Sequence, residues 1–191
     1  ALLKAYVKEH AHILIVGCGT GYELGYLLQL FPHWTFTATD LSTTMLEKAK
    51  QYIQPLNASH RVQFILSDVT ELKNEQSYDA ALSILVTHFV SFQDKSNFFE
   101  AIYESLKLPG IFITFDLTQI QSEQELETLK NVVEINGLSS AQSTAMIRRL
   151  TDDFYPLSSQ ETSDQLNKSG FNPIMPFTQI LAYQGFIALK N

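Results

Sequence analysis

Residues 13–21 read Ile13-Leu14-Ile15-Val16-Gly17-Cys18-Gly19-Thr20-Gly21. The first four are apolar, and Ile13, Ile15 and Val16 are β-branched. Such a run suits a strand covered on both faces of a sheet. It breaks directly into glycines at 17, 19 and 21, which permit a tight turn and close backbone approach. The leucine-rich stretch 22–30 then reads as a helix. A strand, a glycine turn and a helix open a βαβ unit.

Working outward, strand and helix alternate. Residues 2–9 read as the end of a helix. Phe31-Pro32 stops the first crossover helix, because proline disfavours helical geometry in the residue before it. Residues 35–39 form the second strand. Ser42 or Thr43 caps a helix to about Ile53, with Glu47 placed compatibly downstream. Residues 62–66 are the third strand and 78–86 the fourth. A helix over 94–106 presents Phe98, Ala101, Ile102 and Leu106 on one face. Pro109-Gly110 is expected to turn, and 111–115 is the fifth strand. Five such units predict an α/β, doubly wound parallel sheet.

The last third departs from this rhythm. Residues 121–135 and 143–154 read as amphipathic helices, a long excursion from the sheet. A further helix over 158–168 is capped near Ser158 and stopped by Gly170. Residues 171–177 and 180–189 are expected to pair antiparallel at the sheet edge, with Pro173 and Pro176 confining the first to an edge or its bulges.

The chain has 191 residues and is 45% hydrophobic, with 13 Phe and 8 Tyr, so it can build a full core. Twenty acidic against 13 basic residues give a net charge of −7. No Lys/Arg run forms a patch, which argues against a nucleic-acid partner. Arg148-Arg149 reads as a solvated helix face. The single cysteine permits no intramolecular disulfide and fits a reducing, cytoplasmic setting. No apolar run approaches the ~18 residues of a membrane span. The opening Ala1-Leu2-Leu3-Lys4 lacks signal-peptide character and an initiator Met, and reads as clipped. The histidines and the cysteine lack zinc-site spacing, so no metal is expected. The oligomeric expectation is monomer or homodimer.

Glycines at 17, 19 and 21 depart from G-x-G-x-x-G, since Tyr22 stands where the third glycine of a nicotinamide fingerprint belongs. Gly19 admits a ligand close to the backbone. Asp40, at the end of the second strand, can accept from a ribose diol; capping the next helix is its alternative. Asp68, ending the third strand, can accept from an adenine amine, with Val69 N–H meeting a ring nitrogen; a plain loop acid is the alternative. Leu41 and Val69 would flank the base.

The ordered set of pieces resembles the class I S-adenosylmethionine-dependent methyltransferases. It comprises 13–21, then Asp40-Leu41-Ser42 with Met45-Leu46, Asp68-Val69 and Tyr78-Asp79-Ala80. Leu106-Lys107-Leu108-Pro109-Gly110 and Ser169-Gly170-Phe171 complete it, so the resemblance covers essentially the whole chain. It implies seven strands in the order 3-2-1-4-5-7-6, the last antiparallel, with helices on both faces. One domain would span 1–191, with a helical substrate-side insertion at about 117–157. It implies that the loop of Gly17, Cys18, Gly19 and Gly21 backs the cofactor's methionine and ribose. Asp40 would hold the ribose and Asp68 the adenine, while Ser83 to Val86 would lie beside the methionine. Ile15 replaces an acid that many members carry for the cofactor's amino group. Pro109-Gly110-Ile111 replaces Pro-Gly-Gly. Ser83-Ile84-Leu85-Val86 replaces the Asn-Pro-Pro-Tyr of members that methylate nucleobase or amide nitrogens, which favours a small-molecule acceptor.

Methyl transfer from a sulfonium asks chiefly for alignment and exclusion of water; a base is optional. His88, just past the fourth strand, is the candidate base, or a structural histidine. Asp116 ends the fifth strand and either orients the acceptor or caps the next segment. Tyr155 either walls the pocket or packs the excursion down. The leading expectation is methyl transfer from S-adenosylmethionine to a small molecule, releasing S-adenosylhomocysteine. A non-catalytic binding module, a protein or RNA methyltransferase, and a nicotinamide dehydrogenase are the alternatives.

Overall fold

A computed structural model of the chain describes residues 2–72 and 76–191; Ala1 of the opening stretch lies outside them. Seven strands form one sheet: β1 (His12–Val16), β2 (Thr35–Asp40), β3 (Val62–Leu66), β4 (Tyr78–Ile84), β5 (Leu106–Leu117), β6 (Ile174–Ile180) and β7 (Tyr183–Lys190). Their order is β3-β2-β1-β4-β5-β7-β6. The first five run parallel, and β7 runs antiparallel to both β5 and β6.

Strand alternation sorts side chains between two cores. Ile13 and Ile15 of β1, with Ile111 and Ile113 of β5, face α2 (Tyr22–Leu30) and α3 (Thr43–Ile53), which follow α1 (Leu2–Tyr6). Leu14, Val16 and Phe112 face α4 (Lys95–Ser105) and α7 (Ser159–Lys168) through Phe98, Phe99, Ile102 and Leu166. The excursion is α5 (Glu123–Ile135) and α6 (Ser140–Asp152). Leu129 and Leu150 join Leu117 and Ala182 in a third apolar cluster, which docks these helices at the far end of β5.

Local chemistry sets the boundaries. Ser42 caps α3 by accepting from Met45 N. Ser158 and Glu161 form a reciprocal capping box on α7. Several boundaries differ from expectation: α6 starts at Ser140 rather than 143, and β6 and β7 start at Ile174 and Tyr183, three residues late. Pro109-Gly110 does not turn the chain, because it lies inside β5, where the partner of β4 jumps from Leu106 to Ile111. Lys107 Nζ binds Asp79 Oδ2 at 2.9 Å beside this bulge. The fourth strand ends at Ile84, two residues early: Leu85 takes φ +58°, its N–H makes a last bond to Phe115 O at 2.8 Å, and the amides of Val86 and Thr87 turn to Asp116 instead. At the outer border, β6 carries Pro176, and its register against β7 slips between Pro176 and Thr178.

Candidate active site

The carboxyl ends of β1, β2 and β4 border a cavity of about 800 Å³, of which Gly17, Gly19, Asp40, Asp68, Val86 and Tyr155 form part of the wall. Gly17 makes the first bend. Its φ is +65°, and a Cβ there would stand 2.6 Å from Val86 Cγ2, so a side chain is barred by both conformation and space. A Cβ on Gly19 would meet nothing within 4 Å, which leaves the turn open on the cavity side. Asp40 braces this turn: Oδ2 accepts from Gly19 N at 2.9 Å and Oδ1 from Ser42 N at 2.8 Å. Each oxygen keeps a lone pair for a ligand hydroxyl.

Asp68 starts the turn Val69–Glu71 and accepts from Thr70 N and Thr70 Oγ1, both on Oδ1. Its other oxygen is available to an amine. Leu41 and Val69 also line the cavity, supplying apolar flanks. Leu85 lines it too, 44% exposed and in the left-handed region, a strained placement of the kind that collects at functional sites.

Three expected cofactor contacts lie behind the wall. Ser83 is fully buried in β4 with no hydrogen-bond partner for its hydroxyl among the described residues; the early end of β4 hands its place to Leu85 and Val86. Cys18 is 1% exposed. Burial, then the nearby Asp40 and Glu23 carboxylates, push its thiol up to about 12, so it is a packed thiol. Gly21 packs α2 against α3, where a Cβ would come within 3.0 Å of Ala49 Cα.

His88 and Asp116 also lie behind the wall, beside a separate void of about 20 Å³. The Asp116 carboxylate is buried and accepts from Val86 N at 2.9 Å, Thr87 N at 2.6 Å and Leu117 N at 2.7 Å. It also takes the Thr87 hydroxyl and His88 Nδ1. With its lone pairs spent on the loop after β4, it cannot orient an acceptor. His88 is 7% exposed and is held between the rings of Phe89 and Phe154. Its carbonyl accepts from Tyr155 N at 2.8 Å. His88 is not among the residues that line the cavity, and its bond to Asp116 gives it a positioning role in the loop after β4. Only Tyr155, of the three expected catalytic residues, lines the cavity.

Lys95, 1% exposed, completes this clasp by donating to Thr87 O at 2.6 Å. Burial pulls its ammonium down to about 8, against the opposing pull of Asp116. Between about 8 and the ordinary 10.5 the unfolded chain holds more protons on this lysine than the folded chain. Stability therefore gains with pH from this group across that window. Urea midpoints measured from pH 8 to 10.5 should show this as a rising wild-type-minus-Lys95→Met difference; a flat difference refutes the burial cost.

Residues 13–110, half of the chain, match the family described as Methyltransferase domain. The chain belongs to the class I S-adenosylmethionine-dependent methyltransferases. Its cofactor is S-adenosylmethionine. The chain is 24% identical, over 98% of its own length and 76% of the relative's, to the carboxy-S-adenosyl-L-methionine synthase of Trichodesmium erythraeum. It is 35% identical over 58% of its length to the malonyl-[acyl-carrier protein] O-methyltransferase of Priestia megaterium, and that match spans only 39% of the relative. A solved methyltransferase of Aquifex aeolicus shares the fold, with a TM-score of 0.69 at 17% identity, covering 98% of this chain and 87% of that one.

This methyltransferase opens its cavity at the carboxyl edge of the sheet, where an open α/β sheet binds ligands. Residues beyond the expected ones border it, notably Met45, Phe89, Ser91, Asp94 and Asn97. The start of a predicted helix at 94 was the available signal for the last two. Among the described residues, no group of three or more His, Cys, Asp or Glu is gathered to hold a metal. No helix there is long and apolar enough to cross a membrane.

Proposed function

We propose that the chain transfers the methyl group of S-adenosylmethionine to a small-molecule acceptor and releases S-adenosylhomocysteine. The observation that carries this reading is the open glycine turn braced by Asp40 within a cavity of about 800 Å³. That size falls in the ordinary range for small-ligand sites, roughly 300–1,000 Å³. In this reading Asp40 holds the ribose hydroxyls, Asp68 the adenine amine, and Leu41 and Val69 the faces of the base. Gly17, Gly19 and the main chain at Leu85 and Val86 back the methionine end, in place of the acid that Ile15 lacks. When bound there, the cofactor supplies a methyl already activated on a sulfonium.

The protein's own work is then alignment and dehydration. The Asp116 clasp fixes the loop after β4, and with it Phe89 and Tyr155, which we assign to the acceptor wall. The helical excursion at 117–157 contributes Tyr155, and residues 1–191 act as one methyltransferase domain. The lone buried Cys18 suits a cytoplasmic setting.

Isothermal titration with S-adenosylmethionine, S-adenosylhomocysteine and a nicotinamide dinucleotide tests the reading. Dissociation constants on the order of micromolar are expected for the first two, corresponding to about −8 kcal/mol. Binding of the dinucleotide with neither nucleoside would overturn it. Tight binding without methyl transfer across an acceptor panel would favour a non-catalytic module instead.

A further inference from the structure

The carboxylates of Asp40, Asp68 and Asp94 border the cavity, and among the described residues that line it there is no Lys, Arg or His. The proposed cofactor accounts for Asp40 and Asp68 and leaves Asp94. This residue occupies the N-cap position of α4, yet its side chain makes no capping bond. Its Oδ2 instead accepts from Ser91 Oγ at 2.6 Å, and the turn is closed by Asp94 N donating to Ser91 O at 3.1 Å. Aspartate at this position ordinarily spends its oxygens on the first helical amides. Here the carboxylate stays on the cavity wall.

Aromatic rings share that wall. Phe89 and Tyr155 line the cavity and are 58% and 41% exposed. Phe92, next to Ser91, meets Tyr155 edge-on with centroids 5.5 Å apart. One short segment, residues 89–94, thus joins a carboxylate to exposed π faces. That combination attracts cations, whereas an anion would face the cavity's carboxylates with no cationic side chain among the described residues of the lining to offset them.

We propose that the methyl acceptor is an amine, received between Asp94 and the rings of Phe89 and Tyr155. The inference rests on the methyltransferase reading above. The bound ammonium first gives up a proton to water; the lone pair so freed forms the new N–C bond while the methyl's C–S bond breaks, its electron pair remaining on sulfur as a thioether. Positive charge passes from sulfur to nitrogen, and the methylated ammonium then releases a proton to water. Asp94 favours the charge at its destination.

The test compares phenethylamine and phenylacetate, an arylalkyl cation and anion of similar size, by calorimetry on the full chain saturated with S-adenosylhomocysteine. Phenethylamine is expected to bind at least about tenfold tighter. Asp94→Asn, a change at an exposed position, is expected to abolish that preference while leaving S-adenosylhomocysteine affinity within about twofold. Equal or reversed binding of the pair, or a preference unaltered by Asp94→Asn, overturns the proposal. Loss of S-adenosylhomocysteine affinity in Asp94→Asn also overturns it, by moving this carboxylate to the cofactor. Failure of the unaltered chain to bind S-adenosylhomocysteine at all is a separate result, and removes the methyltransferase reading itself.

Discussion

Asp116→Ala is expected to lower the unfolding free energy by about 3–5 kcal/mol, the range for stripping one partner from a buried charged network. The carboxylate serves the amides of Val86, Thr87 and Leu117, the Thr87 hydroxyl and His88 Nδ1. Alanine leaves these donors without their acceptor in a site closed to solvent, at about 1–3 kcal/mol for each group that stays unsatisfied. It also leaves the buried ammonium of Lys95 without the counter-charge that favours it. Urea unfolding monitored by circular dichroism gives the number directly. A loss below about 1 kcal/mol would mean that relaxation or water rehydrates the loop, and that Asp116 is no keystone.

Asp40→Ala is expected to weaken S-adenosylmethionine binding by roughly 10- to 100-fold, or about 1.4–2.7 kcal/mol. Two effects combine. The proposed ribose contacts vanish, and Gly19 N and Ser42 N lose the carboxylate that fixes the open turn. Asp40→Asn retains one oxygen acceptor and is expected to fall between the two. Calorimetric titration of each variant separates them. An unchanged dissociation constant for Asp40→Ala would refute both the ribose assignment and the role of the braced turn.

The fold was legible because its signals are periodic and local. A β-branched run before glycines, and strands spaced by helical segments, leave few ways to build a sheet; the strand order itself followed from the resemblance. Asp40 and Asp68 were legible as cavity-lining residues because one ends β2 and the other follows β3 by two residues, the edge where parallel sheets present ligand-facing groups. Ser83 was misplaced because the end of β4 is decided by a tertiary contact. Asp116 draws the amides of Val86 and Thr87 out of the ladder, and nothing near Leu85 in the sequence announces its positive φ. His88 and Asp116 lie outside the cavity lining for a related reason: proximity to the sheet's carboxyl edge says nothing about which side of the loop a side chain takes. Arg148 and Arg149 pair with Asp152 and Asp153 one turn on, the solvated face that their composition suggested. Asp94 was visible as a helix start, but its failure to cap that helix was not, because capping depends on the rotamer that Ser91 holds.

The outermost strand has a consequence for handling the protein. Proline lacks an amide hydrogen, and a register slip interrupts the even spacing that a docking chain would copy. With Pro176 inside β6 and the slip beside it, that margin offers an incoming strand no regular template. Concentrated refolding is therefore expected to proceed without stacking of molecules along this flank.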